Sequence, residues 1–139
     1  MTEAEMRELV AAARVARLAT LTPSGRLHAV PICFALDGDL VYSAVDAKPK
    51  RTLELQRLAN VAANPEAALL VDHYEDEDWT RLWWVRLRGP SRTVADPAER
   101  ERALDLLAAK YRQYREARPP GEVLAIAVAE WRGWAAADA

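Results

Sequence analysis

The sequence predicts a mainly β (α+β) fold, in which six short antiparallel strands form a small closed or split barrel with helices on its periphery. Three observations point to it. Apolar runs of strand length recur with period-two alternation, turn residues suited to hairpins separate them, and only three segments carry helical spacing. The resulting order is α-β-β-β-α-β-β-α-β. Closing such a sheet leaves no long unpaired edge, which makes a barrel economical for many short strands.

Residues 2–14 are rich in Ala, Glu, Leu and Arg and place Met6, Leu9, Val10 and Ala13 on one face, so they open the chain as an amphipathic helix over the sheet. Two apolar runs follow, Val15 to Leu21 and Leu27 to Leu36. Between them, Thr22-Pro23-Ser24-Gly25-Arg26 supplies a proline-containing link and a glycine free to take positive φ. A second turn at Asp37-Gly38-Asp39 leads into Leu40 to Val45 and completes a three-stranded meander. Alternation in the second run puts Val30, Ile32, Phe34 and Leu36 on a bulky face, and Ala29, Pro31, Cys33 and Ala35 on a small one. The bulky face fills a core. The small face admits close approach by a flat group, a helix or a second subunit.

Thr52 to Ala63 repeats Leu55, Leu58, Ala59 and Ala62 at helical spacing and stops at Asn64-Pro65, where proline removes the next donor and restricts its neighbour. Residues 66–74 form a strand, and Glu75 to Asp78 a solvated acidic loop. From Leu82 to Arg92 a further strand alternates Trp83, Val85 and Leu87 with Trp84, Arg86 and Arg88. Asp96-Pro97-Ala98-Glu99 then starts a helix, with a capping acid, proline at the first position and Glu three residues on. That helix buries Ala103, Leu107, Tyr111 or the Lys110 stem, and Tyr114, and ends before Pro119-Pro120-Gly121. Val123 to Val128 is the closing strand, carrying on to Trp131 and Trp134.

Composition bounds the function. At 139 residues the chain makes one domain, 1–139, because two independent cores would each be marginal. With 51% hydrophobic residues it is not a disordered tail, and no apolar run approaches the ~18 residues of a membrane span. The balance of 19 basic against 21 acidic residues argues against a general nucleic-acid binder. A single cysteine, Cys33, excludes an internal disulfide, and the N-terminus lacks the basic-then-apolar order of a signal peptide, so a cytoplasmic address is expected. His28, His73 and Cys33 have no metal-ligand spacing, and no metal site is predicted. Sequence signatures of an α/β-hydrolase, a P-loop enzyme or a Rossmann dehydrogenase do not occur.

Charge is unevenly placed. Lys48, Lys50 and Arg51 fall within four positions between a strand and a helix, and two of the chain's three lysines are here. The first amides of that helix, capped by Thr52, favour an anion, and the three cations add charge-assisted bonds to phosphate oxygens. A solvated basic turn has the same composition. Arg81, Arg86, Arg88 and Arg92 form a second patch, with no acid from position 79 to 95. Trp84 shares a face with Arg86 and Arg88, an arrangement that suits a planar anionic ligand or a dimer interface. The two are compatible where a site straddles subunits.

The runs Arg17–Phe34, Val41–Arg51, Leu69–Tyr74, Arg81–Arg86 and Trp131–Trp134, in this order and spacing, resemble the pyridoxamine 5′-phosphate oxidase-like split-barrel superfamily, and within it the probable coenzyme F420-dependent oxidoreductases. The resemblance spans nearly the whole chain. It implies a six-stranded antiparallel split β-barrel of the FMN-binding type, acting as a homodimer with two cofactor sites at the subunit interface. By position, Lys48, Lys50 and Arg51, beside Thr52, fall on the phosphate anchor, Ala29, Val30 and Pro31 on the segment lining the ring, and Trp84 and Arg86 of the neighbouring subunit on the remaining wall. The implied cofactor is coenzyme F420, with FMN as the alternative, and the implied substrate a small planar organic molecule with an electron-poor double bond. A non-catalytic dimer holding a flavin or haem is the third reading. The C-terminal residues 131–139 lack the arginine and histidine pattern of true pyridoxamine phosphate oxidases, which argues against vitamin B6 oxidation. Tyr42 and His28 are the available proton donors, and neither is assigned a catalytic role.

Overall fold

The computed structural model describes residues 1–45 and 51–138. Its first hairpin follows from the turn chemistry: Gly25 has φ 83° and donates its N–H to the Thr22 carbonyl at 2.8 Å, while Thr22 N–H donates to the Arg26 carbonyl. Strands β1 (Ala16–Leu21) and β2 (Leu27–Ile32) pair antiparallel around it, from Ala16 opposite Ile32 to Leu21 opposite Leu27.

The long second run does not continue as one strand. It breaks at Cys33-Phe34 and resumes as β3 (Ala35–Asp37), paired with β4 (Leu40–Ala44). Tyr111 is the reason: its hydroxyl accepts the Phe34 N–H at 3.1 Å and faces the Phe34 carbonyl at 3.1 Å, replacing the ladder bonds there. A second expected strand also divides. The closing run forms β7 (Val123–Ala127) and, after a turn, β8 (Glu130–Ala135), so eight strands rather than six are present among the described residues.

The sheet runs β2-β1-β5-β6-β7-β4-β3, with β8 added to β6. Here β5 is Glu66–His73 and β6 is Trp83–Thr93. The eleven-residue β6 belongs to both halves of the barrel: Trp83–Pro90 pairs with β5, Trp83–Arg88 with β8, and Ser91–Thr93 with β7. The change of partner falls at Gly89, where a Cβ would lie 1.8 Å from the Ala127 carbonyl oxygen. Only glycine lets the backbone of the β7–β8 turn approach so closely there.

Helix α1 (Glu3–Ala12) starts with reciprocal bonds between Thr2 and Glu5 and buries Met6 and Val10. Helix α2 (Arg51–Ala63) stops at Asn64-Pro65 as predicted, but its buried face is rotated from the expected one. Asn60 and Val61 are buried, while Ala59 and Ala62 are exposed. The Asn60 amide is satisfied inside, donating to Thr20 Oγ1 at 3.1 Å and accepting from Gln56 Nε2 at 2.7 Å. The Leu55 side chain lies outside the described residues.

Helix α3 (Pro97–Lys110) has the predicted cap, Asp96 accepting from Ala98 N–H at 3.2 Å, and buries Ala103, Leu104, Leu107 and Ala108. A short α4 (Arg112–Glu116) follows. The core has two parts. Leu18, Phe34, Leu69, Val71, Val85 and Leu87 fill the barrel with Met6 and Val10 of α1, and Tyr42, Val123 and Ala125 pack under α3 with Leu107 and Tyr111.

Candidate functional site

Period-two alternation sorts the half-sheet β2-β1-β5-β6-β8 into a core face and an outer face. On the core face Leu18, Ile32, Leu69, Val71, Val85 and Leu87 are buried, with Val30 partly buried against them. The outer face is read from the register. Pro31 lies opposite Arg17, which lies opposite Leu70, then Arg86, then Arg132, forming one row across five strands. Ala29, Ala19, Ala68, Arg88 and Glu130 form the next row, and Asp72, Trp84 and Trp134 a third. Four sequence-predicted residues, Ala29, Pro31, Trp84 and Arg86, therefore share one surface. The Val30 side chain points the other way.

Within this surface Ala19, Ala29, Pro31 and Ala68 make a low floor at the β2-β1-β5 side. Toward β8 the wall rises. Trp84, Trp134, Leu70 and Arg86 line a hollow of about 400 Å³ together with Asp72, His73 and Tyr74. Leu70 is 39% and Trp134 41% exposed, both high for large apolar side chains in a sheet. Trp134 has no site role in the sequence reading. Counting by twos from Trp131 separates the pair: Trp131 packs on the core side, under Arg7 at 4.6 Å, and Trp134 faces out.

Tertiary acids divide the predicted arginine patch. Arg81 reaches Glu75 at 3.5 Å, Arg88 reaches Glu130 at 3.9 Å, and Arg92 reaches Glu99 at 2.8 Å. Arg86 differs. Among the described residues no carboxylate pairs with it, its guanidinium stands 5.6 Å from the Trp84 ring centroid, and its buried Nε has no acceptor.

The anchor residues are not placed in the same way. Lys48 and Lys50 lie outside the described residues, and Arg51 and Thr52 belong to the first turn of α2 with side chains outside the description. Of the two candidate proton donors, Tyr42 is fully buried on β4 and donates to Glu99 Oε2 at 2.7 Å. Burial first and the Glu99 carboxylate second push its phenol above the usual value, and its place in the core under α3 keeps it from the outer face. His28 sits half-buried on β2 with its Nδ1 buried and unpartnered. Among the described residues no group of three or more His, Cys, Asp and Glu is positioned to hold a metal ion, and no helix is long and apolar enough to cross a membrane.

Residues 2–135 match the family model described as pyridoxamine 5′-phosphate oxidase, and the chain belongs to that family. Solved structures share the fold at low identity. A conserved hypothetical protein of Mycobacterium tuberculosis superposes with a TM-score of 0.76 at 19% identity, over 98% of this chain and 86% of its own. A protein of Mesorhizobium loti described as FAD-binding gives 0.70 at 20%, over 96% and 94%. HutZ, described as the haem storage protein of Vibrio cholerae, gives 0.72 at 13%, over 96% and 93%. No curated protein sequence matches the chain.

Proposed function

We propose that this protein binds coenzyme F420 and transfers a hydride between the reduced deazaflavin and a small planar organic substrate with an electron-poor double bond. The observation that carries the reading is the outer face: a floor of small side chains at Ala19, Ala29, Pro31 and Ala68, continued by Trp84 and by Arg86 with its unmet Nε. A flat ring fits the row of Ala19, Ala29 and Ala68, because the neighbouring Arg17 side chain is drawn to Asp72 at 3.3 Å. Lys48, Lys50 and Arg51, with Thr52 at the start of α2, are the proposed phosphate anchor.

The proposed working unit is a homodimer. Three strand spacings separate Pro31 from Arg86 in one chain, about 14 Å at the usual inter-strand distance. One ring contact does not span that gap. Pairing two copies through the outer face would bring the partner subunit's Trp84 and Arg86 toward Ala29 and Pro31, and would cover the exposed Leu27.

When bound, the reduced cofactor supplies the hydride. The chain's own residues would bind, orient and exclude water: the floor and Trp84 would contact the ring, and Lys48, Lys50 and Arg51 would hold the phosphate end. A second reading, FMN or another flavin on the same face, is supported by the FAD-binding description of the Mesorhizobium loti protein. Titration of purified protein distinguishes them. A colourless preparation that shifts the fluorescence of added F420 at micromolar concentration supports the first reading, and co-purifying flavin absorbance the second. Binding of neither sinks both.

A further inference from the structure

We infer that the hollow between Trp84 and Trp134 is a binding subsite for a flat aromatic monocarboxylate, whose ring lies among Trp84, Trp134 and Leu70 and whose carboxylate meets Arg86. The inference rests on the reading of the outer face as the ligand-carrying face and adds the chemical class of the molecule that is not the cofactor.

The hollow combines two chemistries. Trp84 and Trp134 stand directly opposite in the β6–β8 register, with Leu70 on the neighbouring strand opposite Arg86. Two indoles and an aliphatic side chain offer a planar group contact on its faces and edges, and at 39% and 41% exposure Leu70 and Trp134 still have area to bury. Among the polar residues of the lining, Arg86 is the cation that has no carboxylate partner among the described residues. A carboxylate is the acceptor whose geometry matches the guanidinium fork.

Neighbouring charges favour an anion. Asp72, in the lining of the hollow, is paired with Arg17 at 3.3 Å. His73 lies 3.3 Å from Glu75. Glu130 is shared between Arg88 and Arg132, at 3.9 Å from each. With Asp72 paired to Arg17 and one carboxylate shared by Arg88 and Arg132, the surroundings of Arg86 carry surplus positive charge, which favours an anionic ligand there. A volume of about 400 Å³, open on one side, admits a fused pair of rings.

Calorimetric titration of the full chain with 2-naphthoate, neutral 2-naphthamide and cyclohexanecarboxylate tests this. Naphthoate is expected to bind roughly tenfold or more tightly than either analogue. In Arg86→Gln the naphthoate advantage disappears while naphthamide binding is unchanged, and Arg86→Lys restores part of it. Trp134→Ala weakens both aromatic probes together. Equal affinity for naphthoate and naphthamide in the wild-type protein overturns the proposal without reference to any variant, as does absence of binding up to millimolar concentration. F420 and FMN titrations on the same preparation separate the two readings. Cofactor binding without naphthoate binding removes the subsite only, and naphthoate binding without cofactor binding removes the cofactor reading only.

Discussion

Glu99 ties three elements together. From the first turn of α3 it accepts two bonds from Arg92 of β6, each 2.8 Å, and one from Tyr42 of β4 at 2.7 Å. The Arg92 guanidinium, and then the Tyr42 hydroxyl, hold its carboxyl at about 2, against 4.5 for an ordinary glutamate. A carboxylate depressed in the folded state contributes stability that is complete above the unfolded value and is lost as pH falls from about 4.5 toward about 2. Glu99→Gln should therefore lower stability at pH 7 by about 1–3 kcal/mol and flatten the acid limb of a Tm-against-pH profile. Lys110 acts in the opposite sense. Burial, and then Arg14, lower its ammonium to about 8 from 10.5, although the Phe34 ring lies 3.9 Å from Nζ. The charged form is penalised only in the fold, so stability should rise between about pH 8 and 10.5, and Lys110→Met should abolish that rise in the same profile. Asp96 as a cap is legible in four consecutive residues. Glu99's partners are not, because Tyr42 is 57 positions away.

At the scale of elements, β6 organises the barrel, and its ability to serve two half-sheets depends on Gly89. A Cβ there would sit 1.8 Å from the Ala127 carbonyl, backbone that cannot move aside without breaking the β7–β8 turn. Gly89→Ala should cost about 1–3 kcal/mol, read as a lower urea midpoint. The start of α2 bears on binding rather than stability. Changing Lys48, Lys50 and Arg51 together to Ala should weaken cofactor affinity while leaving stability within about 0.5 kcal/mol, measured by paired F420 titration and thermal melts. Unchanged affinity would place the phosphate anchor elsewhere. Strand faces were readable in β6 because alternating Trp83, Val85 and Leu87 need no distant information. The buried face of α2 was not, since Asn60 counts as polar by composition and becomes interior through Thr20, 40 positions away.

For the whole molecule, the outer sheet face concentrates the apolar groups left without cover, Leu27 at 88% exposure among them. If two copies close over this face, Leu27→Glu with Ala29→Glu should convert a two-chain particle to one chain by light scattering and weaken cofactor binding in parallel. A wild-type protein that is a single chain at micromolar concentration would refute the homodimer. Net charge, −2 by sequence, conceals how the arginines are spent. Three of the four in the acid-free stretch meet Glu75, Glu130 and Glu99, and the remaining Arg86 marks the hollow.

By itself the sequence determined the mainly β class, the first hairpin, the α3 cap, the alternation of β2 and β6, and the gathering of cations before α2. Those features arise from neighbours a few positions apart, where turn chemistry, capping and periodicity act. Tertiary structure alone decided that, among the described residues, the barrel has eight strands, Ala29, Pro31, Trp84 and Arg86 share a face, Trp134 joins them, and Arg86 keeps no acid. Each of these depends on register or on contacts between distant positions, such as Tyr111 bonding Phe34 across 77 residues. Local spacing has no means of choosing such partners, because it constrains each segment's conformation and leaves open what that segment packs against.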